Sequence, residues 1–297
     1  MATLITGGGS QVGSALAMLL KSSNSTAVFA SRSGRVPEGF VSVKFDWKDP
    51  ATFENAFTTS NITQFDSVYI LPPTDDVNAG DTTNTFIDVA AQHGVKRYVL
   101  LRGSNTDINS DIGGLGVVER YLESKGFDYF VLRPTWFTGQ VEFRSYHNLK
   151  TAFLTSIRER GQFESIIPTG KIPFVTVGDI AQCAFEAITA PKNVQKGKTI
   201  VGPELLTYDQ LASILTKVLG RQIKHQVVTE EQLIDYYVSS GTMTREVAQW
   251  LIAMDKAVEA GSEASLLSLP AHELYTGETT VAEWLEENKG LFTANST

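Results

Sequence analysis

The sequence predicts an α/β fold, a doubly wound parallel sheet followed by a smaller, mainly helical lobe, and three observations predict it. Short apolar runs alternate with helical repeats at a βαβ rhythm through the first half of the chain. The first strand and the first helix are joined by three consecutive glycines. From Lys198 onward, helical periodicity dominates. The expected division is residues 1–150, with 172–200 returning to the sheet, and a helical lobe over 151–297.

Ala2 to Thr6 reads as a strand, Gly7 to Gly9 as a turn, and Val12, Ala15, Leu16, Leu19 and Leu20 as one face of a helix. Glycines allow positive φ and let a phosphate approach the backbone, while the helix starting near Ser10 aims N–H groups and its positive dipole end at that phosphate. Gly7, Gly9, Ser10, Gln11 and Val12 are therefore the candidate dinucleotide-binding positions. The competing reading is a turn needed only for packing.

Thr26 to Ser31 is the second predicted strand, and Arg32 stands at its end, followed by Ser33 and Arg35. An acid at this point accepts from a ribose hydroxyl, whereas an arginine pairs with a 2′-phosphate, so NADPH is favoured over NADH. The bland alternative is a solvated loop charge. Phe40 to Phe45 alternates as a third strand, residues 51–57 form a short helix, and Ser67 to Leu71 is a buried strand stopped by Pro72-Pro73. Backbone at Leu71 and Pro72 is expected to line the dinucleotide. A helix over 83–93 and a strand over 98–101 lead to Arg102, Gly103 and Ser104, at the C-terminal sheet edge where open α/β sheets bind ligands. Tyr129 to Leu132 is the sixth strand. Beyond it, Trp136, Phe137, Phe143 and Tyr146 offer an aromatic wall for a flat or cationic substrate, with core packing the competing reading for at least two of the four. His147 joins them as a pocket position, read as a satisfied structural histidine rather than as a catalytic acid. Ile172 to Val177 is a further strand, and Asp179 an N-cap for a helix over 180–188.

The chain has 297 residues, 42% of them hydrophobic, and a net charge of −8. That balance argues against nucleic acid and anionic membranes as partners. Cys183 is the only cysteine, which excludes an internal disulfide and suits a reducing compartment. No apolar run reaches about 20 residues, so a cytoplasmic protein is expected. No metal-ligand cluster is visible. Oligomeric state is not legible.

Thr6 to Gly13 resembles the T-G-x-x-G-x-x-G fingerprint of extended and atypical short-chain dehydrogenases/reductases, with Ser10 where the pattern has its middle glycine. VKRYVLLRGSN at 95–105, VVERYLESKGFDYFVLRPTWF at 117–137 and IPFVTVGDIAQCAFEAI at 172–188 extend the likeness to the NmrA-like branch. Within it, LRPTWF and the C-terminal part resemble the fungal festuclavine/agroclavine dehydrogenases, which reduce an iminium in ergot-type alkaloid assembly. The resemblance implies a Rossmann-type domain, with Asp46 and Trp47 beside the adenine and Pro134 near the nicotinamide. It also implies that Ser104 contacts the substrate or the carboxamide, and that Arg102 either reaches the cofactor or pairs with an acid.

It places the usual catalytic tyrosine and lysine at Asp111 and Leu115. The literal Tyr-x-x-x-Lys match, Tyr121 to Lys125, sits on the packing face and in the last turn of its helix and is read as structural. An iminium needs no proton donor, because hydride addition at carbon neutralises its nitrogen. Asp111 is then either a counter-charge or a cap or solvated acid. The expected function is NADPH-dependent reduction of an imine or iminium in alkaloid secondary metabolism, on a small alkaloid-like substrate held between the two parts. The alternatives are cyclisation or isomerisation without net reduction, and a non-catalytic NADP-sensing regulator.

Overall fold

The computed structural model describes residues 1–59, 61–62, 64–73, 79–104, 115–138, 149–239, 241 and 243–292, with backbone alone for 149–152. The chain divides into one unit of residues 1–134 and 177–199 and a second of 135–176 and 200–297. The boundary thus falls at the end of a strand, Pro134, rather than at residue 150.

The first unit alternates β1 (Ala2–Ile5), α1 (Gln11–Ser22), β2 (Thr26–Ser31), β3 (Val41–Lys44), α2 (Asn55–Thr58), β4 (Ser67–Ile70), α3 (Ala79–Gln92), β5 (Arg97–Leu101), α4 (Leu115–Ser124) and β6 (Asp128–Pro134). The chain returns to it with α6 (Val177–Thr189) and the first residues of β8 (Gly197–Val201). Its strands run in the order β8-β6-β5-β4-β1-β2-β3. The pairs β1–β2, β1–β4, β2–β3, β4–β5 and β5–β6 are all parallel. The order reverses between β1 and β4, and the crevice outside that switch point is where such sheets bind ligands. All four residues of β4 are buried, as a parallel strand covered on both faces requires.

α1 packs against α6 on one side of the sheet, and α3 against α4 on the other. The α3 side is an aromatic core. Phe86 lies 5.1 Å from Phe45 and 5.6 Å from Phe53, with Trp47 edge-on at 5.4 Å. Each fully buried ring of this kind contributes about 1.5–3 kcal/mol.

The second unit holds α5 (Leu149–Arg160), β7 (Gln162–Ser165), α7 (Tyr208–Leu219), β9 (Lys224–Val227), α8 (Glu230–Ser239), α9 (Arg245–Glu259), α10 (Ser262–Ser265), β10 (Leu274–Thr276) and α11 (Val281–Glu287). A reciprocal capping box at Thr207 and Gln210 starts α7, and Gly220, at φ +67°, ends it. β7 and β9 form a separate parallel pair.

The strand expected over 172–177 is replaced by two isolated bridges, Ile172 with Leu206 and Val175 with Phe137. Pro173 has no N–H for a ladder, and its carbonyl is used instead by Gly202 N–H at 3.0 Å and the Thr135 hydroxyl at 2.7 Å. α6 begins at Val177, so Asp179 lies within its first turn rather than at the cap. The helix expected over 51–57 splits into a 3-10 turn at Pro50–Thr52 and α2. β7 was not expected. Among the described residues no helix is long and apolar enough to cross a membrane, and no group of three His, Cys, Asp or Glu could hold a metal ion.

Candidate functional site

Thr6 ties the two strands at the switch point together. Its hydroxyl accepts the Leu71 N–H at 2.8 Å, and its own N–H donates to the Tyr69 carbonyl at 3.0 Å. The chain then turns through Gly7 at φ +86° and Gly8 at φ +54°, which side chains rarely adopt. A Cβ on Gly7 would stand 2.6 Å from the Leu71 side chain, and one on Gly13 would stand 2.9 Å from Ile5, so both glycines are required by close approach as well. Ser10 is the N-cap of α1 but makes no capping bond, and its hydroxyl is buried with no partner. The first turn of α1 carries no acid.

A helix N-terminus capped by no side chain, behind two left-handed glycines, fits a pyrophosphate. The residues present thus fit a dinucleotide.

At the end of β2, the Ser31 hydroxyl accepts the Gly34 N–H at 3.1 Å, and Lys44 Nζ donates to the Arg32 carbonyl at 2.8 Å. These bonds shape a loop that presents Arg32, Ser33 and Arg35, all exposed. Neither arginine pairs with a carboxylate among the described residues. Two guanidinium groups and an ammonium without a matched anion suit a phosphate monoester.

Asp46 and Trp47 are engaged locally. Asp46 Oδ1 accepts the Lys48 N–H at 3.0 Å, and the Trp47 ring packs into the aromatic core against Phe45 at 4.8 Å. Pro72 is buried behind Leu71.

The Arg102 guanidinium, 5% exposed, is held by Glu119 of α4, also 5% exposed, and the other Glu119 oxygen takes Arg133 of β6 at 2.5 Å. Arg102 therefore pairs with an acid, Glu119 of α4, and the pair packs the strand ends. The Ser104 N–H donates to the Pro134 carbonyl at 3.0 Å, which sets Gly103 and Ser104 beside the end of β6.

The Tyr121 hydroxyl donates to Asp88 on α3, and Lys125 lies 3.7 Å from the same carboxylate. Desolvation, then the Asp88 contact, push the Tyr121 hydroxyl above its ordinary pKa, the opposite of what a proton-donating tyrosine needs. A second Tyr-x-x-x-Lys spacing, Tyr146 to Lys150, escaped the sequence reading. It follows β6, whereas the resemblance puts the pair between β5 and β6. Asp111, Phe143, Tyr146 and His147 lie outside the described residues.

The second unit contains three further features. Trp136 packs half-buried on its main apolar cluster, and Phe137 lines a ring-walled cavity with Phe153, Phe174, Tyr208 and Trp284. Ser165, His225 and Asp209 form a relay, with Ser165 Oγ 2.7 Å from His225 Nε2 and His225 Nδ1 2.9 Å from Asp209. The geometry is that of a nucleophile, base and orienting acid. Yet Ser165 is 2% exposed and its oxygen already accepts the Ile167 N–H at 3.1 Å. No substrate reaches it, and the relay ties β7 to β9 and α7.

Asp255 is the third. It is half-buried on α9, three residues after Ile252 and three before Val258, and its charge helps raise the Tyr208 and Tyr237 hydroxyls, as that of Glu164 on β7 does for Tyr237. Its carboxyl has no hydrogen bond among the described residues, and desolvation raises its pKa from 3.8 to about 7. The native state therefore binds a proton that the unfolded chain has lost between pH 4 and 7. Stability is expected to fall across that window as pH rises. Asp255→Asn is expected to abolish the slope and raise the melting temperature above pH 7 by roughly 2–4 °C for each kcal/mol relieved. Parallel slopes for the two proteins would refute this.

The NmrA-like family model matches residues 36–285. An agroclavine dehydrogenase of Claviceps fusiformis is 35% identical over 295 residues, covering 98% of this chain and 99% of that protein. Festuclavine synthase I of Penicillium roqueforti is 32% identical over 271 residues, 90% of this chain and 91% of its own. Among solved structures, a Citrobacter triphenylmethane reductase complexed with NADP(H) superposes with a TM-score of 0.70 at 20% identity. It covers 97% of this chain and 99% of its own, and shares the fold. The chain belongs to the NmrA-like family.

Proposed function

We propose that the protein is an NADPH-dependent reductase of an imine or iminium in an alkaloid-like small molecule. The observation that carries the reading is α4, the helix between β5 and β6. Its one tyrosine is bound to Asp88 and shifted the wrong way, its buried acid is clamped by two arginines, and Leu115 opens it. A carbonyl needs a proton delivered to its oxygen as hydride arrives at carbon. An iminium does not: the carbon gains the hydride and the π electrons come to rest on nitrogen. The names of the relatives, at 32–35% identity, support the same substrate class.

When bound, reduced nicotinamide supplies the hydride. The chain's own part is binding and orientation. The glycine turn and α1 hold the pyrophosphate, Arg32 and Arg35 hold the 2′-phosphate, and the backbone at Gly103, Ser104 and Pro134 borders the reacting end.

The test is NADPH with a panel of cyclic iminium salts and related aldehydes, following nicotinamide absorbance and product mass. Stoichiometric NADPH loss with an amine carrying one added hydride is expected, unchanged in Tyr146→Phe. A product of unchanged mass would mean isomerisation or cyclisation, and NADPH binding without product would mean a regulator. Loss of turnover in Tyr146→Phe would transfer the proton-donor role to Tyr146 and Lys150, and the substrate to a carbonyl.

A further inference from the structure

The loop that carries Arg32, Ser33 and Arg35 does not stand clear of the glycine turn but folds back onto it. A Cβ on Gly9 would lie 3.1 Å from the Arg35 carbonyl oxygen and 3.8 Å from Val36 Cα, and one on Gly8 would lie 2.9 Å from Ser31 Oγ. The turn is also bonded to the end of β2, where the Gly8 N–H donates to the Ala30 carbonyl at 3.1 Å. From there the loop is tied down twice. Ser31, 3% exposed, accepts the Gly34 N–H on its hydroxyl oxygen and the Phe45 N–H on its carbonyl, and Lys44 holds the Arg32 carbonyl.

Gly8 is required to be glycine on two grounds, because its φ of +54° is one that side chains rarely adopt. Gly9 lies outside the left-handed region, so an alanine there would meet no backbone strain. What it would meet is the Arg35 carbonyl, inside ordinary van der Waals contact. Two causes can account for the bare backbone at Gly9: a pyrophosphate that must approach the turn, and the loop that already does. The second joins the turn that fits a pyrophosphate to the arginines that suit a 2′-phosphate.

We propose that Gly9 and Ser31 are positioning residues that set the cofactor preference. Gly9 seats the Arg35 carbonyl, Ser31 closes the loop at Gly34, and together they hold Arg32 and Arg35 where a 2′-phosphate meets them. Neither residue has to touch that phosphate. The inference rests on the NADPH part of the proposed function and is independent of the substrate.

Fluorescence titration of the full-length protein with NADPH and with NADH gives the preference. Competition by adenosine 2′,5′-bisphosphate reads the 2′ position without a pyrophosphate. Gly9→Ala displaces the Arg35 carbonyl and is expected to lower the NADPH-to-NADH preference roughly fivefold and to weaken the bisphosphate by a similar factor, since charge-assisted hydrogen bonds to phosphate depend on placement. Ser31→Ala adds no atom near the turn and so cannot obstruct a pyrophosphate. It is expected to lower both quantities roughly threefold, by releasing the Gly34 N–H. If NADH weakens as much as NADPH in Gly9→Ala, Gly9 serves the pyrophosphate alone and the proposal fails. A wild-type preference retained in either variant would overturn it as well. A wild-type protein without any preference would refute the NADPH reading itself, and this proposal with it.

Discussion

Arg32→Glu is expected to weaken NADPH binding by roughly 100-fold and to leave NADH within a few-fold. A hydrogen bond to a charged group is worth about 1.5–3 kcal/mol, and reversal adds repulsion of the phosphate to the loss. The loop is preorganised for the contact, because Lys44 fixes the Arg32 carbonyl and Ser31 closes the turn at Gly34. With no carboxylate on the Arg32 side chain among the described residues, nothing there has to be broken before it takes a phosphate. Arg32→Ala is expected to cost about tenfold, since Arg35 and Lys44 still supply positive charge. Fluorescence titrations with both cofactors at two salt concentrations test this, the NADPH preference shrinking as salt rises. Equal wild-type affinities for the two cofactors would defeat the assignment.

The elements that the sequence displays best are those held by neighbours in the chain. The turn at Gly7 to Gly9 is legible because positive φ, strand end and helix start all fall within ten residues. α7 is legible to the residue, because Thr207, Gln210 and Gly220 spell both of its caps. What escapes is what distant segments supply. Pro173 lies within an apolar run, and only its partners Thr135 and Gly202 show why no ladder forms there. Ser165, Asp209 and His225 meet across 60 residues, with no spacing to betray them.

Two acids break the apolar pattern of their helices. Glu119 and Asp255 each fall at an apolar position of a helical stripe, Glu119 between Leu115 and Leu122, Asp255 between Ile252 and Val258. A carboxylate on a packing face either has a partner elsewhere in the fold or pays for lacking one, and the two residues illustrate the two cases. Arg102 was visible as a candidate, but only the partner on α4 shows that its charge is spent on the fold.

Glu119→Ala is expected to be the most destabilising single change in the first unit. It removes the carboxylate that holds the Arg102 guanidinium, 5% exposed, and leaves Arg133 beside it without that acid. Breaking a buried pair from one side costs about 3–5 kcal/mol, whereas replacing both partners by apolar residues of similar size is often neutral. Glu119→Ala is thus expected to lower the melting temperature by roughly 10 °C, and Arg102→Met with Glu119→Leu to recover most of the loss. Denaturation of Glu119→Leu, Arg102→Met and their combination closes the cycle and gives the coupling directly. NADPH affinity is expected to change little in the recovered double variant, because the glycine turn and Arg32 are elsewhere on the sheet edge. Additive losses in the cycle would show that Arg102 and Glu119 do not act as a pair. A double variant that regains stability but not NADPH binding would show that Arg102 reaches the cofactor after all, since only then does restoring the packing fail to restore the site.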